Sequence, residues 1–181
     1  MASIKSQLQV RSWKKDGFLI STDPSLFPIQ SLIDVFDSKE FYWSKAMPAE
    51  AMREMLDNSL CFGLYEQSQP DAASELKFVG LARCITDFVT FAYLTDVWVD
   101  PTYQGKGLGS WLVGCVQEVL ETMPYLRRSM LYTRDWERSV PFYQRLMGMK
   151  LVETRMGEGL AIMESKGKGH PSYGSEGTSY N

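Results

Sequence analysis

Six positions between residues 104 and 109 combine an amide, a cation and three glycines at a spacing suited to binding an anion. The stretch reads Gln104-Gly105-Lys106-Gly107-Leu108-Gly109 and comes directly before a strongly amphipathic segment. Glycine lets the backbone approach a phosphate without a Cβ in the way, and a helix that begins here points unpaired N–H groups at the same place. Lys106 adds a positive charge at the rim. The sequence therefore predicts an anion-binding loop.

Spacing excludes two common phosphate-binding loops. A P-loop has the pattern GxxxxGK[ST], whereas Gly105-Lys106 is followed by Gly107. The dinucleotide fingerprint GxGxxG also fails, because residues 105–110 read GKGLGS. The loop therefore supports neither nucleoside triphosphate hydrolysis nor dinucleotide redox chemistry.

The loop lies between a predicted strand and the clearest predicted helix of the chain. Residues 91–99 are rich in β-branched and aromatic side chains, and together with residues 78–86 they predict an antiparallel hairpin that turns near Asp87. From residue 108 to residue 123, apolar side chains recur at three- and four-residue steps, which predicts an amphipathic helix that ends near Pro124. A strand and a helix would thus hold the loop from both ends.

Weaker patterns predict the rest of a single domain. Strands are predicted at residues 18–22, 61–65, 129–133, 149–154 and 160–163, and helices at residues 29–36, 48–56 and 137–147. A chain of 181 residues has the length of one domain with its own core. We expect that domain to span residues 1–164, followed by a flexible tail at 165–181 that is rich in glycine and serine.

The remaining composition narrows the chemistry. A formal net charge of -3 provides no broad positive surface for a nucleic acid backbone. No stretch approaches the about 18 apolar residues of a membrane span, and the N-terminus lacks a signal-peptide pattern, so we expect a cytoplasmic protein. Cys61, Cys84 and Cys115 form no CxxC pair, and His170 is the single histidine. We therefore expect buried, unreactive cysteines and no metal site.

The residues around the loop resemble those of the GNAT superfamily of acyl-coenzyme A dependent N-acetyltransferases. Gln104-x-x-Gly107-x-Gly109 is similar to its pyrophosphate motif [RQ]-x-x-G-x-[GA]. The strand before the loop ends in DVWVDP at residues 96–101, which is of the family's type, and the following helix is amphipathic as in the family. The order of predicted elements from residue 18 to residue 163 also looks like the family fold.

The resemblance implies an α/β (α+β) fold with a mixed, largely antiparallel central sheet of six to seven strands. Helices would cover both faces, and two strands would splay apart at an acetyl-CoA site. Acetyl-CoA would be the co-substrate, and an amine would attack its thioester directly, without an acyl-enzyme. The residues that the resemblance assigns to coenzyme binding are Val97, Trp98, Val99, Gln104, Gly105, Lys106, Gly107, Leu108, Gly109 and Ser110.

The resemblance also implies two candidate catalytic residues, Tyr143 and Asp96. A helix of these enzymes often carries a Phe-Tyr pair shortly before a glycine, matched here by Phe142-Tyr143 and Gly148 with one residue more than the usual spacing. Tyr143 would protonate the departing thiolate. A carboxyl with a reference pKa near 3.9 is a poor base for an ammonium group, so we expect Asp96 to anchor the amine or to act through water. Strand alternation places it opposite Thr95 unless a bulge turns it inward.

The acceptor-side candidates are Asp87, Tyr93 and Thr95, which lie on the same hairpin as Asp96. The two acidic residues favour a small cationic primary amine as the acceptor. Two alternatives stay open at this point, namely acetylation of a protein N-terminus or lysine, and a non-catalytic acyl-CoA-binding sensor on the same fold. The oligomeric state is also open, and related folds often form homodimers.

Overall fold

A single sheet organises the part of the chain that the computed structural model describes, residues 2–68 and 75–152. Its six strands within these residues are β1 (Ser12–Lys15), β2 (Phe18–Ser21), β3 (Leu60–Gln67), β4 (Leu76–Thr86), β5 (Phe91–Val99) and β6 (Arg128–Met130). They follow one another across the sheet in chain order. Neighbours are antiparallel except β5 and β6, which are parallel. The expected mixed, largely antiparallel sheet is confirmed.

Five α-helices accompany the sheet within the same residues. They are α1 (Ile4–Leu8), α2 (Ile29–Phe36), α3 (Ala49–Asp57), α4 (Leu108–Glu121) and α5 (Ser139–Met147). The last of them ends at Gly148, whose φ of +62° is the left-handed conformation that commonly terminates a helix. The helices predicted from periodicity are therefore present, with ends that differ by a few residues.

Alternate residues of β3 supply two separate apolar clusters, one on each face of the sheet. Leu60, Phe62 and Leu64 pack with α4 and α5, and we call this side the α4 face. Cys61, between the first two, packs instead with α2 and α3, and we call that side the α2 face. Since successive side chains of a strand point to opposite faces, the core residues of β3 hold both layers of helices on one sheet.

A β-bulge interrupts β5 and reverses which of its side chains face which layer. Leu81 pairs with Trp98, whereas Arg83 pairs with Thr95, so one residue of β4 lies opposite two residues of β5. Ala92 and Leu94 pack on the α4 face before the bulge, and Val97 packs there after it. The extra residue is Asp96, with a φ of +51°. The alternative in which a bulge turns Asp96 inward is the one that the protein adopts.

The first sixteen residues contain two elements that periodicity did not predict. Residues 4–8 form α1, and β1 pairs with β2 through a two-residue turn at Asp16-Gly17. Both turn residues have positive φ, at 48° and 79°, as a type I′ hairpin turn requires. The Asp-Gly dipeptide was the sequence signal for this hairpin.

The strand predicted at residues 149–154 is absent over the part of it that the structure describes. Residues 149–152 are not a strand, and Leu151 and Val152 are each 50% exposed. No neighbouring strand pairs with them within the described residues, and an extended segment without a partner gains no ladder hydrogen bonds. Residues 153–154, the predicted strand at 160–163 and the expected tail at 165–181 lie outside the described residues.

Candidate active site

The loop between β5 and α4 exposes backbone N–H groups, as the sequence predicts. Gly105 and Gly107 have φ values of +80° and +76°, a conformation that residues with a Cβ rarely adopt. Gly107 is the N-cap of α4 and has no side chain to occupy the helix terminus. The first helical N–H with an acceptor belongs to Trp111, which donates to the Gly107 carbonyl at 3.1 Å. The N–H groups of residues 108–110 are thus available to an anion.

Open space lies in front of this loop. A Cβ built on Gly105 or Gly107 would meet no atom within 4 Å, and one on Gly109 would approach only a methyl group of Val99, at 3.9 Å. The loop borders a cleft of about 430 Å³ that is also lined by the start of α5, including Arg138, Ser139 and Tyr143. The predicted anion site and the predicted acid therefore share one cleft.

Tyr143 lies in this cleft with most of its side chain covered. Its ring packs edge-on against Phe142, with ring centroids 5.1 Å apart, and contacts the α4-face core. Burial raises the pKa of Tyr143 to about 12. The phenol therefore carries its proton throughout the neutral pH range, as a proton donor must.

Polar side chains brace the loop from below. Gln104 donates from Nε2 to the Val99 carbonyl at 3.1 Å, which ties the loop to the end of β5. Lys106 Nζ lies 4.8 Å from the ring centroid of Tyr103, and Lys77 Nζ donates to the Tyr103 hydroxyl at 2.9 Å. Lys106 and Lys15 also line a smaller cavity of about 250 Å³ at the loop. Lys15 and Lys106 thus lie next to the predicted anion site.

The strands β5 and β6 separate beside the cleft. They pair only from Phe91 to Tyr93 on β5, opposite Arg128 to Met130 on β6. Beyond Tyr93, β5 continues to Val99 without a strand partner on that side among the described residues. Residues 97–99 therefore lie where two strands diverge, as expected for the segment that would receive an acyl group.

Asp96 is buried on the α2 face, with only 5% of its surface exposed. Its Oδ2 accepts a hydrogen bond from Arg83 Nε at 2.7 Å, which also makes an ion pair. Its Oδ1 accepts from Trp43 Nε1 at 3.1 Å and from the Thr95 hydroxyl at 3.3 Å. Both oxygens are therefore occupied by donors of the protein itself.

Asp87 organises the turn between β4 and β5. Its carboxylate accepts hydrogen bonds from the N–H groups of Val89, Thr90 and Phe91 and from the Thr90 hydroxyl. These donors, the Thr90 hydroxyl foremost, hold the pKa of Asp87 well below its usual range. The expectation that Asp87 binds the acceptor therefore loses its basis, because the turn itself uses the charge.

Tyr93 and Thr95 lie on β5 between the turn and the bulge. The Tyr93 ring packs against Tyr132, with centroids 5.4 Å apart, and its pKa is raised, chiefly by burial. Thr95 is half-buried, and its hydroxyl is already bonded to Asp96. The Tyr93 hydroxyl, by contrast, makes no hydrogen bond to a side chain of the described residues.

Comparison with known proteins agrees with this geometry. A family model described as the acetyltransferase (GNAT) family matches residues 29–149, which include the cleft, the bulge and both core faces. The chain belongs to the GNAT family. The match begins at α2, so this GNAT chain carries α1 and the β1–β2 hairpin outside the matched range.

Individual relatives extend the match to most of this GNAT chain. The Gibberella zeae protein FG08082, named as an acetyltransferase, is 34% identical over an alignment of 173 residues that covers 88% of this chain and 96% of that protein. A crystal structure from Xanthomonas campestris, described as a GNAT acetyltransferase, has a TM-score of 0.63 and 30% identity, and covers 86% of this chain and 97% of that one. The ribosomal-protein-S5-alanine acetyltransferase of Vibrio fischeri shares the fold at a TM-score of 0.57 and 16% identity, over 75% of this chain and 81% of its own.

Two residues of this GNAT site were not predicted from the sequence. Arg83 and Trp43 both bind Asp96, from positions 13 and 53 residues away in the chain. Arg83 could have been found, because counting back from the turn at Asp87 places it across from Thr95. No local pattern marks Trp43.

No helix in the described ranges has the length and apolar character needed to cross a membrane.

Proposed function

We propose that this protein transfers an acetyl group from acetyl-CoA to a primary amine. The observation that carries the proposal is the shared cleft. The glycine loop before α4 and the phenol of Tyr143 line the same cavity. A sensor that only binds acyl-CoA needs the loop, whereas a transferase also needs a donor of a proton to the leaving sulfur.

The loop fits the pyrophosphate of coenzyme A. Positive φ at Gly105 and Gly107, free N–H groups at residues 108–110 and the nearby charge of Lys106 are what a polyanion requires. A side chain at Gly107 would enter the space in front of the helix terminus. Bound acetyl-CoA would supply the thioester that the amine attacks, and the loop would hold its phosphates.

The diverging segment of β5 is proposed to hold the acetyl carbonyl. N–H groups of residues 97–99 that are not used by β4 would donate to the carbonyl oxygen as its negative charge grows. Fixed donors of this kind are a large term in acyl transfer because they need no reorganisation. Val97 and Val99 pack on the α4 face, so their backbone is rigidly held.

Tyr143 is proposed to donate a hydrogen bond, and then a proton, to the leaving sulfur. A thiol has a reference pKa near 8.5, and the pKa of Tyr143 is about 12, so complete transfer is uphill by about 3.5 units before the coenzyme binds. The hydroxyl therefore acts first as a hydrogen-bond donor to the thiolate. The sulfur can leave without a fully transferred proton.

An acyl-enzyme is not needed in this proposal. Cys61, Cys84 and Cys115 are all buried, and burial raises the pKa of the Cys84 and Cys115 thiols to about 12. A thiol with that pKa is almost entirely protonated at neutral pH and is a weak nucleophile. Direct attack by the amine in a ternary complex is consistent with these environments.

The acceptor is proposed to be a primary amine that binds without an ion pair to Asp87 or Asp96. Both carboxylates accept hydrogen bonds within the protein, so these two residues no longer support a preference for a cationic amine. Presenting a neutral amine of pKa near 10.4 at pH 7 costs about 4.6 kcal/mol. Amines of lower pKa should therefore be the better acceptors, other things being equal.

A free-thiol release assay with a panel of small amines and of peptides tests this proposal. The panel pairs amines of similar size and different pKa, and the peptides carry either a free N-terminus or an internal lysine with a blocked N-terminus. Amine-dependent thiol release confirmed by mass of the acetylated product supports the transferase. Binding of acetyl-CoA without any product across the panel would favour the sensor, and product only from peptides would favour a protein acceptor.

A thermal-shift series tests the ligand independently of turnover. Acetyl-CoA at 100 times its dissociation constant should stabilise the protein by about 2.7 kcal/mol, whereas NAD and ATP should not. Equal shifts from all three ligands would argue against a coenzyme-specific loop.

A further inference from the structure

The bulge at Asp96 connects the acyl-binding strand to a segment on the other face of the sheet. Residues 38–48 lie between α2 and α3, and we call them the α2–α3 segment. Trp43 of this segment donates to Asp96 Oδ1 at 3.1 Å. The bond is between residues 53 positions apart and joins the α2 face directly to the bulge.

The same carboxylate is fixed from the sheet side. Arg83 on β4 donates from Nε to Asp96 Oδ2 at 2.7 Å, and it donates from Nη1 to the Ser59 hydroxyl at 3.1 Å. The Arg83 and Asp96 side chains are 12% and 4% exposed. Water therefore competes little with these bonds, and the carboxylate has one defined position.

Aromatic contacts join Trp43 to its neighbours in the α2–α3 segment and to α2. The Trp43 ring lies 4.4 Å from that of Phe41, which in turn lies 4.4 Å from that of Phe36 at the end of α2. Tyr42, beside them, is 57% exposed and packs edge-on against Trp43 at 5.0 Å. An aromatic stack thus runs from α2 to the indole N–H that reaches Asp96.

We propose that Asp96 is a positioning residue that locks the α2–α3 segment to the bulge of β5 and thereby shapes the approach of the acceptor amine. The inference rests on the proposed function, because it assumes that the coenzyme binds on the α4 face. It also assumes that the amine approaches β5 from the α2 face, where Trp43 of the segment contacts Asp96. Asp96 itself is not proposed to bind the ammonium group, because both of its oxygens already accept hydrogen bonds from side chains of the protein.

The variant Trp43→Phe distinguishes a positioning role of Asp96 from a direct role in catalysis. Trp43→Phe keeps the aromatic packing, removes the indole N–H and leaves the Asp96 carboxylate with Arg83. We expect the KM for the acceptor amine to rise roughly tenfold, as for loss of a hydrogen bond to a charged group. The kcat, the shape of its pH profile and the Kd for acetyl-CoA should change less than about twofold, since the loop and Tyr143 are untouched.

Trp13→Phe is the matched control. Trp13 Nε1 also donates to a carboxylate, Oε2 of Glu118, at 3.0 Å, but on β1 and α4 rather than at the bulge. This variant should keep the wild-type KM for the amine. Asp96→Ala is the second variant, and the double variant Trp43→Phe/Asp96→Ala should raise the KM no further than Asp96→Ala alone, because both changes break the same link.

Hydrogen exchange provides a readout that does not need activity. In Trp43→Phe, amides of residues 38–48 should exchange at least several-fold faster, while those of the loop at 104–110 keep their acetyl-CoA-dependent protection. This pattern would support the proposal even if no amine in the panel is acetylated. Unchanged exchange of residues 38–48 would overturn it, and so would a wild-type KM in Trp43→Phe. A lost ionisation in the pH profile of Asp96→Ala would then assign Asp96 to the chemical step.

Discussion

The two faces of β5 present different chemical groups, backbone on one and side chains on the other. On the α4 face, the candidate coenzyme site consists of backbone N–H groups and glycines within seven consecutive positions, 104–110. On the α2 face, Asp96 is bonded to the side chains of Trp43, Arg83 and Thr95, which come from the α2–α3 segment, β4 and β5. A backbone site can be changed only by adding atoms, whereas a side-chain site can be changed by removing them.

This difference also sets what each side can recognise. Backbone N–H groups at a helix terminus favour any suitably shaped anion, so the coenzyme side is general. A hydrogen-bonded network of buried side chains holds one arrangement of the segment above it, so the proposed acceptor side would depend on these particular side chains. Substitutions on the two sides should therefore affect the Kd for acetyl-CoA and the KM for the amine separately.

The largest effect is expected from Gly107→Asp. The new side chain places a Cβ at a φ of +76° and a carboxylate at the terminus of α4, where the phosphates would lie. Binding of acetyl-CoA should be lost, and with it the about 2.7 kcal/mol of ligand stabilisation at 100 times the wild-type Kd. Isothermal titration and a thermal-shift assay measure both.

Gly114→Asp is the control for Gly107→Asp. Gly114 lies inside α4, and a Cβ built on it meets no atom within 4 Å. The same charge on the same helix should leave the Kd for acetyl-CoA unchanged. If both variants bind like the wild type, the coenzyme site lies elsewhere.

Tyr143→Phe should leave the coenzyme side intact and slow the chemistry. The phenyl ring keeps its contact with Phe142, but the cleft loses the hydroxyl. We expect kcat to fall by roughly 10²- to 10⁴-fold, the usual range for a positioned acid, with the Kd for acetyl-CoA nearly unchanged. Because the pKa of Tyr143 is about 12, kcat of the wild-type protein should show no decline from this group below about pH 11.

Tyr125→Phe is the control for the loss of a phenol, because Tyr125 is 66% exposed in the turn between α4 and β6. It should turn over at the wild-type rate. A folded Tyr143→Phe variant with native kcat would make Tyr143 a packing residue and assign the proton to water or another group.

The same contrast explains what the sequence could and could not predict. The loop, α4 and the hairpin of β4 and β5 follow from local patterns, because glycine spacing and apolar periodicity act over a few residues. Of the partners of Asp96, Arg83 follows from the register of the hairpin, whereas Trp43 belongs to a segment that is distant in the chain and that no local pattern marks. The sequence therefore offers Asp87 and Asp96 as candidates for the acceptor side, but it does not reveal that both carboxylates accept hydrogen bonds within the protein.

The bulge itself left a trace in the sequence. Apolar core residues of β5 occur at 92 and 94 and then at 97 and 99, so the two-residue period changes phase between Leu94 and Val97. A regular strand would have kept Asp96 on the α4 face with Leu94. The phase change predicts one extra residue, although the positive φ of Asp96 is visible only in the structure.

A smaller effect on the coenzyme side is expected from Gln104→Leu. It removes the 3.1 Å hydrogen bond to the Val99 carbonyl and leaves an apolar side chain that is one atom shorter. Loss of one neutral hydrogen bond is worth about 1 kcal/mol, so the Kd for acetyl-CoA should rise roughly fivefold, with the KM for the amine unchanged. Gln117→Leu, on the exposed side of α4, should have no such effect. A larger change in the KM for the amine than in the Kd would show that the loop also shapes the acceptor side.

The smallest catalytic effect is expected from Asp87→Asn, which tests the turn against the acceptor site. The pKa of folded Asp87 is depressed by its turn donors, so its stabilisation is present above the unfolded value near 3.9 and is lost as the pH falls through the folded value. The variant should melt below the wild-type protein at neutral pH, and the difference in Tm should shrink as the pH drops below about 4. The KM for a cationic amine should not change, because the carboxylate already serves Val89, Thr90 and Phe91. A raised KM with an unaltered Tm would instead return Asp87 to the acceptor site and restore the preference for a cationic substrate.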